Sequence, residues 1–203
     1  MSLMLGLLVS AGGVVLGRAL ARRLRARPSE EGGEQPPSTP SAADTLDTFP
    51  CHLGDVVVRT AERDEAWLAG ALLFEEERTV VGALFVAPEA GVDRALFARD
   101  AVEDIIWLSP IPTAELALTA EPPHVVDRGG VRFQRTRRLP VGVRRAGSGA
   151  PSVGDRAIVA EYEGPGPERI VIVAGSERTL AWAGAVLGRA EYDVLPGGKE
   201  TLE

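Results

Sequence analysis

The sequence contains few of the residues that build metal, redox or stacking sites. It has one cysteine and two histidines in 203 residues, which excludes a disulfide framework and a cysteine-built zinc site. Aromatic residues make up only 5%, so little surface is available for stacking on a nucleobase or a sugar. No P-loop, G-x-S-x-G or H-E-x-x-H motif is present. We therefore expect neither a cofactor nor a bound metal.

Positive charge is scarce outside two segments. The chain carries 22 basic and 29 acidic residues, a net charge of -7. Residues 1–27 hold five arginines and no acid, which leaves 17 basic against 29 acidic residues, a net -12, in the remainder. A basic face supplies most of the affinity of general nucleic-acid binders, so this class is excluded.

The N-terminus has the pattern of a single-pass membrane anchor. Residues 3–17, LMLGLLVSAGGVVLG, carry no charge and are followed by RALARRLRAR. Fifteen helical residues span roughly 22 Å, and extension through residues 18–21 with Arg18 snorkelling reduces the shortfall from roughly 30 Å. The positive-inside rule then predicts an N-terminus outside and a cytoplasmic remainder at the inner membrane. An amphipathic or buried helix and a signal peptide are the alternatives.

Two further features belong to this N-terminal region. Gly13 and Gly17 form a GxxxG spacing that allows two membrane helices to pack closely, although plain small-residue composition gives the same pattern. Residues 28–45, PSEEGGEQPPSTPSAADT, have almost nothing to bury and are predicted to be a disordered linker. The domain organisation is therefore an anchor at 1–27, a linker at 28–45 and a folded domain at 46–203.

Residues 46–203 are predicted to form a mainly β domain, an antiparallel small barrel or sandwich. Short apolar segments alternate with glycine, proline and acidic turns, which is typical of strands. We expect a short helical turn within residues 90–102, and residues 179–187 fit either a strand or a helix. The predicted strands cover residues 55–60, 67–74, 79–87, 105–108, 115–119, 124–127, 131–136, 156–162, 169–174 and 191–195.

A weak internal repeat raises the question of two related halves. The sequences LGDVVV at 53–58 and VGDRAI at 153–158 share a Gly-Asp pair before an apolar segment. A Gly-Asp turn before a strand is common, so a duplicated half-domain is one of two interpretations.

These segments resemble a known bacterial family. Residues 53–57 (LGDVV), 65–70 (EAWLAG) and 107–108 (WL) are similar to the first half of the bacterial domain-of-unknown-function family 4178. Residues 153–162 and 192–196 resemble its second half, so the resemblance covers about residues 49–197. It implies a mostly β domain without an established activity, and it assigns no catalytic residue.

The second basic segment is the best candidate contact surface. Residues 128–145 contain seven arginines and no acid, and strict alternation places Arg132 and Arg138 on one face and Arg135 and Arg137 on the other. An anionic partner, either an acidic protein segment or lipid headgroups, would fit it. The alternative is that these arginines pair with the domain's own acids. The candidate partner-binding residues are Arg132, Arg135, Arg137, Arg138, Arg144 and Arg145.

The other reactive residues favour structural roles. Cys51 and His52 are adjacent, and neighbouring side chains rarely form a nucleophile–base pair. His124 follows two prolines and is expected to be an ordinary histidine. Acidic groups at 62–65, 75–77 and 100–104 lack EF-hand spacing and are interpreted as solvated turns.

The sequence thus predicts a membrane-anchored, non-enzymatic binding or scaffolding module at the inner membrane. Its partner would be a protein or anionic headgroups, with self-association through the anchor as an additional expectation. One alternative is a hydrolytic enzyme that uses a carboxylate pair or a divalent cation. Another is a structural subunit of a membrane complex.

Overall fold

The computed structural model describes residues 46, 48–88, 93–116, 118 and 121–197, and these residues form a mainly β domain. No helix among these residues is long and apolar enough to cross a membrane. The predicted anchor and linker lie outside the described residues. The strands are β1 (Val56–Arg59), β2 (Glu65–Trp67), β3 (Gly70–Glu76), β4 (Thr79–Ala87), β5 (Arg94–Arg99), β6 (Ile105–Ile111), β7 (Val125–Arg128), β8 (Val131–Gly147), β9 (Arg156–Glu163), β10 (Glu168–Gly175), β11 (Thr179–Leu187) and β12 (Tyr192–Leu195).

Eight of these strands close into an antiparallel barrel. The order around the ring is β3-β4-β5-β6-β11-β10-β9-β8, and β8 returns to pair with β3. Gly70 lies opposite Gly147 in the closing pair. The ring therefore consists of two consecutive four-stranded meanders, β3–β6 and β8–β11, joined through β6–β11 and β3–β8. Of the barrel and the sandwich that the sequence left open, the barrel is confirmed.

Both faces of the barrel wall are buried in several strands. In β10, Ile170, Val171, Ile172 and Val173 are all fully buried, and successive side chains point to opposite faces. Val171 and Val173 join the interior cluster, whereas the two isoleucines join an outer one. This explains why β10 is a continuous apolar run without polar alternation. The interior cluster draws on all eight barrel strands, through Leu72, Phe74, Leu84, Ala95, Phe97, Ile106, Leu108, Val141, Ala157, Val159, Val171, Val173 and Trp182.

A separate three-stranded sheet, in the order β12-β1-β2, covers part of the outer wall. Its inward residues Val57, Ala66 and Tyr192 are buried together with outward residues of β3–β6. The chain that leads into the domain packs there too, since Phe49 and Cys51 belong to the same cluster. Because β12 pairs with β1, this strand completes the small sheet and not the barrel.

Strand β8 changes faces at a bulge. Its register against β9 shifts between Arg135 and Arg137, and a bulge adds one residue to one strand. Arg135 lies opposite Tyr162 of the outer cluster, whereas Arg137 lies opposite Glu161 on the interior face of β9. The strict alternation predicted for these arginines is therefore wrong beyond Arg135. One strand can line the barrel interior and also cover its outer wall because of this bulge.

One stretch of β8 has a strand partner on only one side. Strand β7 pairs with residues 131–134 and β3 pairs with residues 142–147, while β9 pairs with residues 134–142 from the opposite side. Pro140 lies in the interval between β7 and β3. Proline has no N–H to donate, so it is tolerated where a strand has no neighbour.

Several sequence-based boundaries are corrected. Residues 94–99 form a strand where a helical turn was expected, and residues 115–119 contain the end of a 3-10 turn, Thr113–Leu116, where a strand was expected. The predicted strand at 67–74 is divided between β2 and β3. The ambiguous segment 179–187 is a strand.

The two Gly-Asp turns share a conformation but not a position. Gly54 and Gly154 have φ values of 90° and 92°, a region that favours glycine. Gly54 precedes β1 of the small sheet, whereas Gly154 precedes β9 of the barrel. The turns therefore do not mark equivalent points of the two meanders.

Candidate interaction surfaces

The arginine-rich segment is presented along β8 and the turn before it. Five of its seven arginines form ion pairs within the chain. The pairs and their N–O distances are Arg128–Glu115 at 3.5 Å, Arg132–Asp127 at 3.4 Å, Arg137–Glu161 at 3.4 Å, Arg138–Glu121 at 2.9 Å and Arg144–Glu75 at 2.8 Å. Pairing with the domain's own acids, one of the two interpretations from the sequence, thus occurs for these five.

Two arginines of the segment are held by neutral groups. Arg135 donates to the Pro122 carbonyl oxygen at 2.6 Å, and its guanidinium lies 3.1 Å from Nδ1 of His124. Arg145 donates to the Ala150 carbonyl oxygen through two nitrogens, at 3.0 and 2.6 Å. A carbonyl oxygen fixes a guanidinium without cancelling its charge. The segment therefore retains more positive than negative charge after its pairing is counted.

Inside the barrel, Glu161 is a buried carboxylate surrounded by arginines. It is 7% exposed, and Nη1 of Arg137 lies 3.4 Å from its Oε1. Burial raises the pKa of Glu161, although the positive charges of Arg99, Arg137 and Arg169 oppose that rise. The charges that act on Glu161 all belong to arginines, so it does not form the carboxylate pair that the hydrolytic alternative requires.

The cavity beside Glu161 is too small for a ligand. Its volume is about 10 Å³, and Phe74, Phe97 and Val159 are among the side chains that line it. A water molecule needs roughly 10–15 Å³ of such volume. Beside Glu161 the barrel is thus filled by its own side chains. A separate open cavity of about 250 Å³ is lined by Val86, Leu180 and Trp182, which belong to the interior cluster or pack against it.

An open trough of about 610 Å³ lies outside the barrel. Its floor includes Pro140 and Gly142 of β8 with Ile158 of β9, and the Glu75–Glu77 turn forms one wall. Glu77 and Arg78 have φ values of 48° and 74°. Both values are positive, as a tight hairpin turn of the mirror-image type I requires.

Cys51, His52 and Asp55 are held by contacts within the fold. Burial raises the pKa of the Cys51 thiol to about 12, and the Asp55 carboxylate adds to the shift. His52 donates its backbone N–H to Asp55 at 2.8 Å, and its Nδ1 lies 3.5 Å from the same carboxylate. Asp55 also accepts the backbone N–H of Gly197 at 3.0 Å. The Asp55 carboxylate therefore connects the chain before β1 with the chain after β12.

The acidic groups form local contacts. Asp64 pairs with Arg94 at 3.0 Å, and Glu75 pairs with Arg144. Within the described part of the chain, no group of three or more acidic, histidine or cysteine residues has the geometry of a metal site.

An exposed apolar row on the small sheet was missed from the sequence. Trp67 and Leu195 are 55% and 54% exposed. Each lies directly opposite the half-buried Val56, on β2 and β12 respectively. Residues opposite each other in antiparallel strands project from the same face. The signal was present in the alternation EAW of residues 65–67, but it needed the pairing of β12 with β1 to bring Leu195 beside it.

No protein-family model, curated protein or solved structure matches this chain. The resemblance to family 4178 therefore stays a prediction. Gly13 and Gly17, the residues predicted to pack membrane helices, lie outside the described residues.

Proposed function

We propose that the chain is a membrane-anchored binding or scaffolding module whose arginine-rich β8 surface contacts an anionic partner. The partner is either an acidic segment of another protein or anionic lipid headgroups. The observation that carries the proposal is the positive charge left over along β8, where Arg135 and Arg145 are held by carbonyl oxygens and not by acids.

The packed interior cluster supports binding by exposed side chains. Barrels that hold a small ligand leave an interior cavity for it, whereas side chains from all eight strands occupy this interior. A partner would accordingly be contacted by exposed side chains along β8. Arg135 projects from the outer wall, whereas Arg145 lies opposite Leu72 of the interior cluster and is exposed near the end of the strand.

The location of the module rests on the sequence. The uncharged residues 3–17 and the five arginines that follow support an anchor in the inner membrane, with its N-terminus outside and the β domain in the cytoplasm. Anionic headgroups and membrane-bound proteins would then lie within reach of the linker at 28–45.

The proposal is tested by removing the two unneutralised charges. The full-length chain is purified in mild detergent, and co-purifying proteins and lipids are identified at low and high salt. Arg135→Gln with Arg145→Gln is compared with Arg63→Gln and Arg178→Gln, a control that removes the same charge elsewhere. Arg178 is a close match because it also donates to a carbonyl oxygen, that of Ser152 at 2.6 Å.

We expect an acidic protein or anionic lipid that the wild type and the control retain at low salt, and that the β8 variant loses. Arg135→Lys with Arg145→Lys keeps the charge and should retain most of the binding, which separates charge from local structure. If the β8 variant, with an unchanged unfolding midpoint, retains the same molecules as the control, this surface does not bind an anionic partner.

A further inference from the structure

The outer face of the small sheet is chemically distinct from the β8 surface. Its central row consists of Trp67, Val56 and Leu195 on three adjacent strands. With strands about 4.8 Å apart, this row extends roughly 10 Å across the sheet. The opposite face of the same sheet is buried through Val57 and Ala66. The sheet is therefore apolar on both faces, although the described residues cover only one of them.

The neighbouring row on this face is acidic at both ends. Glu65 and Asp193 lie opposite Val58, on β2 and β12 respectively, and both are exposed. Glu62 and Asp64 nearby form ion pairs with Arg59 and Arg94. An apolar row and an acidic row thus run side by side across one sheet.

We propose that this face binds a basic segment of a partner protein, one in which apolar side chains alternate with arginine or lysine. The apolar side chains would cover Trp67, Val56 and Leu195, and the cations would lie against Glu65 and Asp193. Tryptophan is enriched among the residues that dominate binding energy at interfaces. An anionic membrane surface is disfavoured as the occupant, because the two carboxylates would repel it.

This surface complements the β8 surface without depending on it. Strand β8 offers cations to an anionic partner, whereas the small sheet offers an apolar row with acids to a cationic one. A scaffold that holds two different partners would need two such surfaces.

The position of Trp67 allows the proposal to be measured directly. The chain has three tryptophans, and the other two, Trp107 and Trp182, are only 5% exposed. Quenching of tryptophan emission by acrylamide therefore reports mainly on Trp67. The probe is a synthetic peptide of alternating leucine and arginine, LRLRLRL, and its glutamate counterpart LELELEL is the charge control. Both are added to the full-length chain in detergent.

We expect the arginine peptide to protect Trp67 from acrylamide and the glutamate peptide to leave quenching unchanged. A labelled arginine peptide should bind at least tenfold more weakly to Leu195→Ser, and similarly to Glu65→Gln with Asp193→Asn, as measured by fluorescence anisotropy. Two matched controls should bind as the wild type does. Val125→Ser changes a 41% exposed valine on β7, and Glu76→Gln with Glu77→Gln removes two exposed acids from another turn.

Three results would overturn the proposal. One is that the arginine peptide leaves the quenching of Trp67 unchanged. Another is that the Glu76 and Glu77 variant loses as much affinity as the Glu65 and Asp193 variant, since the peptide would then respond only to net charge. The third is that the wild type sediments as an oligomer that Leu195→Ser dissociates, because a second copy of the chain would then cover this face.

Discussion

Replacing Phe74 by alanine tests whether the barrel interior is a packed core. Phe74 is 1% exposed, and its ring centroid lies 6.2 Å from that of Phe97 across the interior. Deleting a buried phenylalanine ring costs about 3–5 kcal/mol, since the surrounding side chains refill the space only partly. For a domain of this size each kcal/mol lowers the unfolding midpoint by about 2–4 °C. The expected decrease is therefore about 6–20 °C.

The assay is thermal and urea unfolding of the full-length chain in detergent, followed by circular dichroism. Leu195→Ala serves as the control, because Leu195 is 54% exposed and a surface substitution of this kind changes stability by about 0.5 kcal/mol or less. A loss below about 1 kcal/mol for Phe74→Ala would contradict a packed barrel interior. It would mean that the interior rearranges freely or that the eight strands do not enclose it.

Three further predictions concern the buried thiol and a glycine at the barrel closure. At pH 8 a thiol reagent should modify Cys51 at least about a thousandfold more slowly in the folded chain than in the urea-unfolded chain. The reason is that a pKa raised from 9.0 to about 12 leaves correspondingly less thiolate. Equal rates would contradict the burial of Cys51. The urea midpoint of unfolding should fall as the pH rises from about 9 towards 12. Burial raises the pKa values of Cys51 and Tyr162 to about 12 in the folded chain, so the unfolded chain loses these protons first. A midpoint that does not change with pH would contradict this. Gly147→Ala should destabilise the domain by about 1–3 kcal/mol, since Gly147 has a φ of 67° and a Cβ there would overlap the Ala69 carbonyl oxygen. Gly142→Ala is its control, as a Cβ there makes only ordinary contacts, the nearest at 3.7 Å, and equal losses would show that conformation at Gly147 is not the cause.

The local sequence pattern was sufficient to predict most strands but not how they pair. The hairpin between β3 and β4 and the strands β9 and β10 follow from apolar runs bounded by turns, because short-range turn chemistry defines them. The segment 90–102 was expected to hold a helical turn, yet residues 94–99 are a strand. Pairing with β4 and β6 on its two sides stabilises this strand, and such tertiary pairing is not visible in a local pattern.

The candidate surfaces, too, could be predicted from the sequence only in part. The arginines of β8 are visible as a run of like charge, but the bulge that turns Arg137 into the barrel is not, because one extra residue leaves no mark in the sequence. The row of Trp67 and Leu195 joins residues 128 positions apart through their common neighbour Val56. Register between distant strands must be known before such a surface can be recognised.

Membrane topology directly tests the proposed location of the β domain at the cytoplasmic side of the inner membrane. One reporter that is active only in the cytoplasm and another that is active only outside it are fused separately after Glu203, and the cells are fractionated. We expect activity of the cytoplasmic reporter in the membrane fraction. Activity of the external reporter, or a cytoplasmic reporter found only in the soluble fraction, would contradict it.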